Sequence, residues 1–248
     1  MSRAASLLFA IVSYAIFFAT FLYLIVFVGD FEFAARTVDE GPLAPPLTAA
    51  LIDVGLIALF GLQHSVMARQ GFKRWWMQIV PPPVERSVYV LAASAALLIM
   101  FTFWHPIDSI VWNVTNPILS DAIWLLFWIG WLTVLLSTFL INHFELFGLQ
   151  QAWFHMRARE AEPPRFRQPL FYKFVRHPLY LGFLLAFWAA PEMTAGHLLL
   201  AAGMSVYILI AIRHEERDLV SLFGKDYELY REQAGMLMPR FRRGRPAG

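Results

Sequence analysis

Five short polar clusters interrupt an otherwise apolar chain: Gln63-His64-Ser65, Glu85-Arg86, Asn142-His143-Phe144-Glu145, Arg176-His177-Pro178-Leu179-Tyr180 and Arg213-His214-Glu215-Glu216-Arg217. Together they carry imidazoles, carboxylates and guanidinium groups. An imidazole can take a proton from a reacting group near neutral pH. An arginine beside the start of a helix, where backbone N–H groups are free, suits a carboxylate or a phosphate. Pro178 is placed for the first turn of such a helix, where its missing N–H costs little. A carboxylate at Glu215 or Glu216 can hold the two hydroxyls of a ribose or pair with Arg176. Neighbouring helical residues point about 100° apart, so at most one of the two faces a given pocket.

Other chemistries are set aside by what the chain lacks. It has no cysteine, which removes disulfides, thiolate metal sites and a cysteine nucleophile. His64, His143, His177 and His214 form no HxxxH or HxxH pair, so no metal is expected. There is no glycine-rich phosphate loop and no dinucleotide fingerprint.

The elements that must position these clusters are membrane spans. Of 248 residues, 58% are hydrophobic and only 15% charged, against about a quarter charged in a soluble domain. The apolar runs are continuous rather than alternating, which points to helices and not to a barrel. The fold expected is an all-α integral membrane bundle of about five to six transmembrane helices. The spans are read at residues 6–28, 49–68, 87–104, 122–141, 172–191 and 196–212, the last two as a tight hairpin. Residues 146–171 read as a polar connector, and the tail from Arg213 as helical through Tyr230. The whole chain reads as one domain, 1–248. Every Lys and Arg except Arg36 falls on the side that carries both termini, and positive charge marks the cytoplasmic side. The expectation is therefore a bacterial inner (cytoplasmic) membrane protein with both termini cytoplasmic. All five clusters then sit at cytoplasmic helix ends. The basic residues hug that face, so the bilayer is the expected partner and nucleic acid is not.

Several blocks, in order and spacing, resemble a known family. Arg176-His177-Pro178-Leu179-Tyr180-Leu181-Gly182, then Glu215-Glu216-Arg217-Asp218-Leu219, Phe223-Gly224-Lys225-Asp226-Tyr227, Tyr230 and Met238-Pro239-Arg240-Phe241 are similar to the C-terminal signature of the isoprenylcysteine carboxyl methyltransferases and phospholipid methyltransferases. Gln63-His64-Ser65-Val66-Met67-Ala68-Arg69, Glu85-Arg86-Ser87-Val88-Tyr89 and Asn142-His143-Phe144-Glu145-Leu146-Phe147-Gly148-Leu149-Gln150 resemble the bacterial methanethiol S-methyltransferases within that group. The resemblance implies S-adenosylmethionine as cofactor, held at a cytoplasmic cap made by the last hairpin and tail. It implies that His177, Tyr180, Gly182, Glu215, Glu216, Tyr227 and Tyr230 line or support the cofactor pocket, together with Tyr172 and Arg176. Residues 146–248 become the cofactor side and residues 1–145 the substrate side.

The reaction so implied is methylation of a small thiol, methanethiol to dimethyl sulfide, by in-line displacement. The thiolate is the nucleophile, so a base is needed. His64 is the expected general base, with Gln63, Arg86, His143 or Glu145 setting its protonation, and Glu145 next in line for the role. A tight apolar pocket is expected to exclude larger thiols. A lateral opening between spans would admit a volatile substrate from lipid, with the cofactor capped by the tail. Three alternatives stay open: a prenylcysteine carboxylate or phospholipid amine as acceptor, a sterol-reductase-like NADPH oxidoreductase, and a non-catalytic membrane assembly factor.

Overall fold

The structure, a computed structural model, describes residues 1–160, 166 and 168–240. Arg165, Arg167 and Phe241, used above, lie outside the described residues. Among the described residues, five helices are long and apolar enough to cross a bilayer: α1 (Arg3–Val28), α2 (Pro46–Ala68), α4 (Pro82–Phe103), α5 (Pro117–Ile141) and α9 (Ala195–Phe223). Each exceeds the roughly 20 residues that a hydrocarbon core requires. Between them lie the short helices α3 (Gln70–Trp76), α6 (His143–Leu146), α7 (Leu149–Met156) and α8 (Pro178–Trp188), and α10 (Lys225–Gln233) follows α9. The protein is an all-α integral membrane protein. Leu8, Leu51, Leu62 and Leu125 point outward, as lipid-facing side chains do.

Local chemistry sets the helix starts. Proline is the first residue of α2, α4, α5 and α8, where its fixed φ favours the helix and its missing N–H is harmless. Elsewhere side chains cap: Ser2 Oγ accepts from Ala5 N, and Thr194 Oγ1 from His197 N.

The hairpin expected from residues 172–191 and 196–212 takes a different form. Only Pro178–Trp188 is helical in its first arm. Eleven residues rise only about 16 Å. Ala189 to Pro191 and the strand β2 (Glu192–Thr194) link α8 to α9. Close packing makes this short arm possible: a Cβ on Gly182 would stand 2.7 Å from Gly130 O, and one on Gly130 2.7 Å from Ala186 N. Small residues let the α5 and α8 backbones touch, the usual device inside a membrane. The second arm overruns its expected end at residue 212. α9 continues through the His214-Glu215-Glu216 cluster to Phe223 and breaks at Gly224, whose φ is +54°. The connector also contains the helix α7, which its polar composition did not foretell.

The two ends of the bundle differ. At one, β1 (Ile110–Asn113) pairs antiparallel with β2, with Asn113 opposite Glu192. Trp104 Nε1 donates to Val38 O at 2.9 Å, Thr194 Oγ1 to an Asp39 oxygen at 2.5 Å, and Thr37 Oγ1 to Asp30. The other end carries the N-terminus, residues 64–86, α6, α7 and α10. The core, with Phe27, Met100, Trp104, Phe127, Phe187 and Leu200, fills the space between.

Candidate active site

At the end that carries the N-terminus, a cavity of about 780 Å³ opens between α1, α2, α4, α5, α8 and α9. Its wall collects residues far apart in sequence: His64 from α2, Arg86 from α4, His143 from α6, Tyr172 from a 3-10 turn, Arg176 and His177 before α8, Tyr180 on α8, and Glu215 on α9. The two groups of residues singled out by the sequence, near the middle and near the C-terminus, thus border one space. The cavity as a whole is far larger than a two-heavy-atom substrate alone would fill. Phe18 of α1 and Leu135 of α5 line the cavity and are 41% and 37% exposed.

His64 sits among aromatic rings. Its centroid lies 4.9 Å from Tyr89, 5.3 Å from Phe60 and 6.2 Å from Tyr207. Its Nδ1 is buried and has no hydrogen-bond partner among the described residues. A buried polar atom left unpaired is costly. The site therefore holds a destabilised group that a ligand or a proton transfer can satisfy.

His143 is the opposite case. Thr138 Oγ1 donates to Leu135 O at 2.7 Å, so its single proton is spent. His143 Nδ1–H must then donate to Thr138 Oγ1 at 2.8 Å, which leaves Nε2 to accept from Tyr14 O–H at 2.8 Å. Burial holds its pKa below the ordinary imidazole value. The ring is a neutral clasp that ties α1 to the end of α5.

Arg86 is aimed by its neighbours. Its Nε donates to Leu146 O at 2.8 Å and its guanidinium lies 5.0 Å over the Tyr89 ring. Lys73 of α3 also borders the cavity, with its pKa lowered by burial and then by Arg86.

On the other wall Glu216 is a hub. Arg176 Nε donates to Glu216 Oε1 at 2.7 Å, His177 Nε2 lies 3.1 Å from the same oxygen, and Arg231 Nε lies 3.4 Å from Oε2. Arg176 Nη1 also donates to Ala234 O and Arg231 O. The tail backbone also binds the two residues that precede α8: Arg176 N donates to Gly235 O and His177 N to Met236 O. These bonds fold the tail across the start of α8. Glu216 points into this lock, whereas Glu215 lines the cavity with a side chain 45% exposed. Of the adjacent pair, Glu215 is the one that faces the cavity.

Six of the singled-out residues do not border the cavity. Gln63 turns its Nε2 to Met67 Sδ at 3.2 Å. Glu145 accepts from Asn142 Nδ2 at 2.8 Å. Gly182 meets α5, and Glu216 forms the hub. Tyr227 and Tyr230 pack with Ala234 in a separate cluster, where Tyr230 O–H donates to Tyr172 O at 2.5 Å and burial pushes its pKa up to about 12. Conversely, Tyr89, Tyr207, Lys73 and Asp218 line the cavity without having been singled out as site residues. A helical stripe leads to Tyr207: Met204, Tyr207, Ala211, Glu215 and Asp218 recur three or four residues apart, along one face of α9. Among the described residues no group of three or more His, Asp or Glu is placed to hold a metal ion.

Comparison with known proteins gives consistent relatives. The chain is 51% identical over 232 residues, 94% of its length and 81% of the relative's, to methanethiol S-methyltransferase 1 of Bradyrhizobium diazoefficiens. It is 49% identical over 239 residues, 96% and 98% of the two chains, to the methanethiol S-methyltransferase of Mycobacterium tuberculosis. A more distant relative is nurim of Xenopus laevis, 30% identical over 180 residues, 69% of this chain and 62% of nurim. No family model and no solved structure matches.

Proposed function

The chain belongs to the methanethiol S-methyltransferase family, and from that premise we propose that it methylates methanethiol to dimethyl sulfide with S-adenosylmethionine as donor. One observation carries the reading: eight of the singled-out residues, drawn from both halves of the chain, line one cavity, in which His64 keeps a buried, unpartnered Nδ1. On this reading residues 1–145 supply the acceptor side and residues 146–248 the donor side of one membrane domain. The distribution of Lys and Arg favours a bacterial inner membrane location with the site facing the cytoplasm.

The wall suits the donor. A cavity of about 780 Å³ lies within the roughly 300–1,000 Å³ of sites that bury such molecules. When bound, S-adenosylmethionine supplies a sulfonium methyl group open to direct displacement. Tyr89, Tyr180 and Tyr207 present aromatic groups that attract a cation. Glu215 is placed for ribose hydroxyls or an ammonium group, and Arg86 or Lys73 for a carboxylate. Arg176 and His177, locked on Glu216, hold the tail in place and so position the donor side.

His64 takes the thiol proton. Its buried Nδ1, left without a partner among the described residues, is placed to accept it. Gln63, His143 and Glu145 act as positioning residues: Gln63 adjoins His64 on α2, while His143 and Glu145 fix the turn after α5. Methanethiol enters from lipid between α1 and α5.

Transfer of a labelled methyl group tests the proposal. Purified protein in lipid vesicles, given methyl-labelled S-adenosylmethionine and methanethiol, should release labelled dimethyl sulfide. Absence of transfer, with S-adenosylhomocysteine failing to bind while NADPH binds, would overturn it in favour of an oxidoreductase.

A further inference from the structure

The cavity runs deeper than its polar residues. On α9 its wall extends from Glu215 back to Met204, a helical rise of about 16 Å. The charged groups lie toward the Glu215 end, and Tyr207, beside His64, stands one turn from Met204. The deep end is formed by Phe21 and Leu24 of α1, Leu97 of α4, Phe187 of α8, and Met204 and Ile208 of α9. Ser94 also borders it, but its hydroxyl is spent on Val90 O at 2.9 Å. The result is an apolar chamber that continues past His64 into the core of the bundle.

We propose that this protein also methylates larger apolar thiols, alkyl or aryl, whose hydrocarbon group fills this chamber while the sulfur lies beside His64. The proposal rests on the methyl-transfer reading above. The acceptor's S–H proton passes to the imidazole and on to solvent. The freed sulfur pair forms the new C–S bond to the methyl carbon. The methyl–sulfonium bond of the donor breaks, its electron pair returns to the donor sulfur, and both products are neutral thioethers at those sulfurs. No oxidant or reductant is required.

The chamber makes a graded prediction, because apolar burial scales with area. Each added methylene should raise kcat/KM by about fourfold until the chamber is full. The test uses the full chain in phospholipid vesicles with labelled S-adenosylmethionine and methane-, butane-, hexane-, octane- and benzenethiol in turn. Partition into lipid favours longer thiols for any variant alike, so variants isolate the chamber. Ala93 lies on its α4 wall. Ala93→Phe should lower the hexanethiol-to-methanethiol ratio of kcat/KM by about tenfold or more. Met204→Ala, at the deep end, should move the optimum to longer chains. A kcat/KM that is flat or falls with chain length in the unmodified protein, with methanethiol turned over, overturns the proposal and leaves the methanethiol reading standing. A length optimum unmoved in both variants also overturns it, with lipid partition or a resident lipid chain as the cause. Failure to methylate any thiol overturns both readings. Turnover of hexanethiol without methanethiol supports this proposal and overturns the narrower one.

Discussion

The two ends of the bundle are built from similar polar residues and use them differently. At the β1–β2 end, Asp30, Asp39 and Glu192 each accept a hydrogen bond from a neighbouring side chain. Those groups tie loops together. At the opposite end, histidines, arginines and a glutamate border a cavity of about 780 Å³. The two histidines His143 and His64 repeat the contrast within that end. His143 has both nitrogens satisfied and joins α1 to α5, whereas Nδ1 of His64 is buried without a partner. Where hydrogen bonds close, a polar group contributes to stability. Where one is left open beside a cavity, the cost is retained in the folded state and a ligand or a proton can relieve it.

Three substitutions probe this contrast, in decreasing order of effect. His64→Ala should lower kcat for methanethiol by roughly 10²- to 10⁴-fold, the usual contribution of a positioned base, with little change in thermal unfolding. Full turnover across pH in that variant would break the distinction between the two histidines. Glu216→Ala should destabilise by about 3 kcal/mol, because Arg176 and His177 keep their buried positions without their shared acceptor. Thermal unfolding in detergent measures that loss, and S-adenosylhomocysteine titration should show weakened binding as the tail detaches; unchanged values in both would mean that the hub does not hold the site.

The smallest effect belongs to the closed end. Burial, and then the charges of Asp30, Glu192 and Asp108, push the Asp39 carboxyl up to about 6, against the opposing hydrogen bond from Thr194. An unfolded aspartate titrates near about 3.9. Between those values the folded state holds a proton that the unfolded state has shed. The stability contribution is therefore full below about pH 4 and is lost as pH rises through about 6. Asp39→Asn should flatten that slope in unfolding temperature between pH 4 and pH 7. A slope that persists would assign it to another acid of the same end.

Much of this was legible in the chain. The first four long helices begin within about five residues of the expected starts, since hydropathy and Pro at the first turn are local signals. The gathering of basic and imidazole groups at one end followed from counting charges between spans. Other features were not legible, for identifiable reasons. Gly182 permits a close approach, yet only Gly130 on α5 reveals that a helix and not a ligand approaches. α8 is short because backbone contact with α5 and pairing of β2 with β1 substitute for helical length. Tyr207 lies within an apolar run, and its face emerges only by counting back from Glu215.

The sequence by itself determined a helical membrane protein, the end at which its reactive residues collect, and its family. Those are properties of composition, periodicity and motif order. Tertiary structure decided which polar atoms are satisfied and which are left open. Glu216 rather than Glu215 locks the tail because Arg176 and His177, some 40 and 39 positions away in the chain, arrive beside it. His143 is a clasp because Tyr14, 129 positions away, supplies its second hydrogen bond. A hydrogen bond depends on separation in space, to a few tenths of an ångström, and chain distance does not encode it.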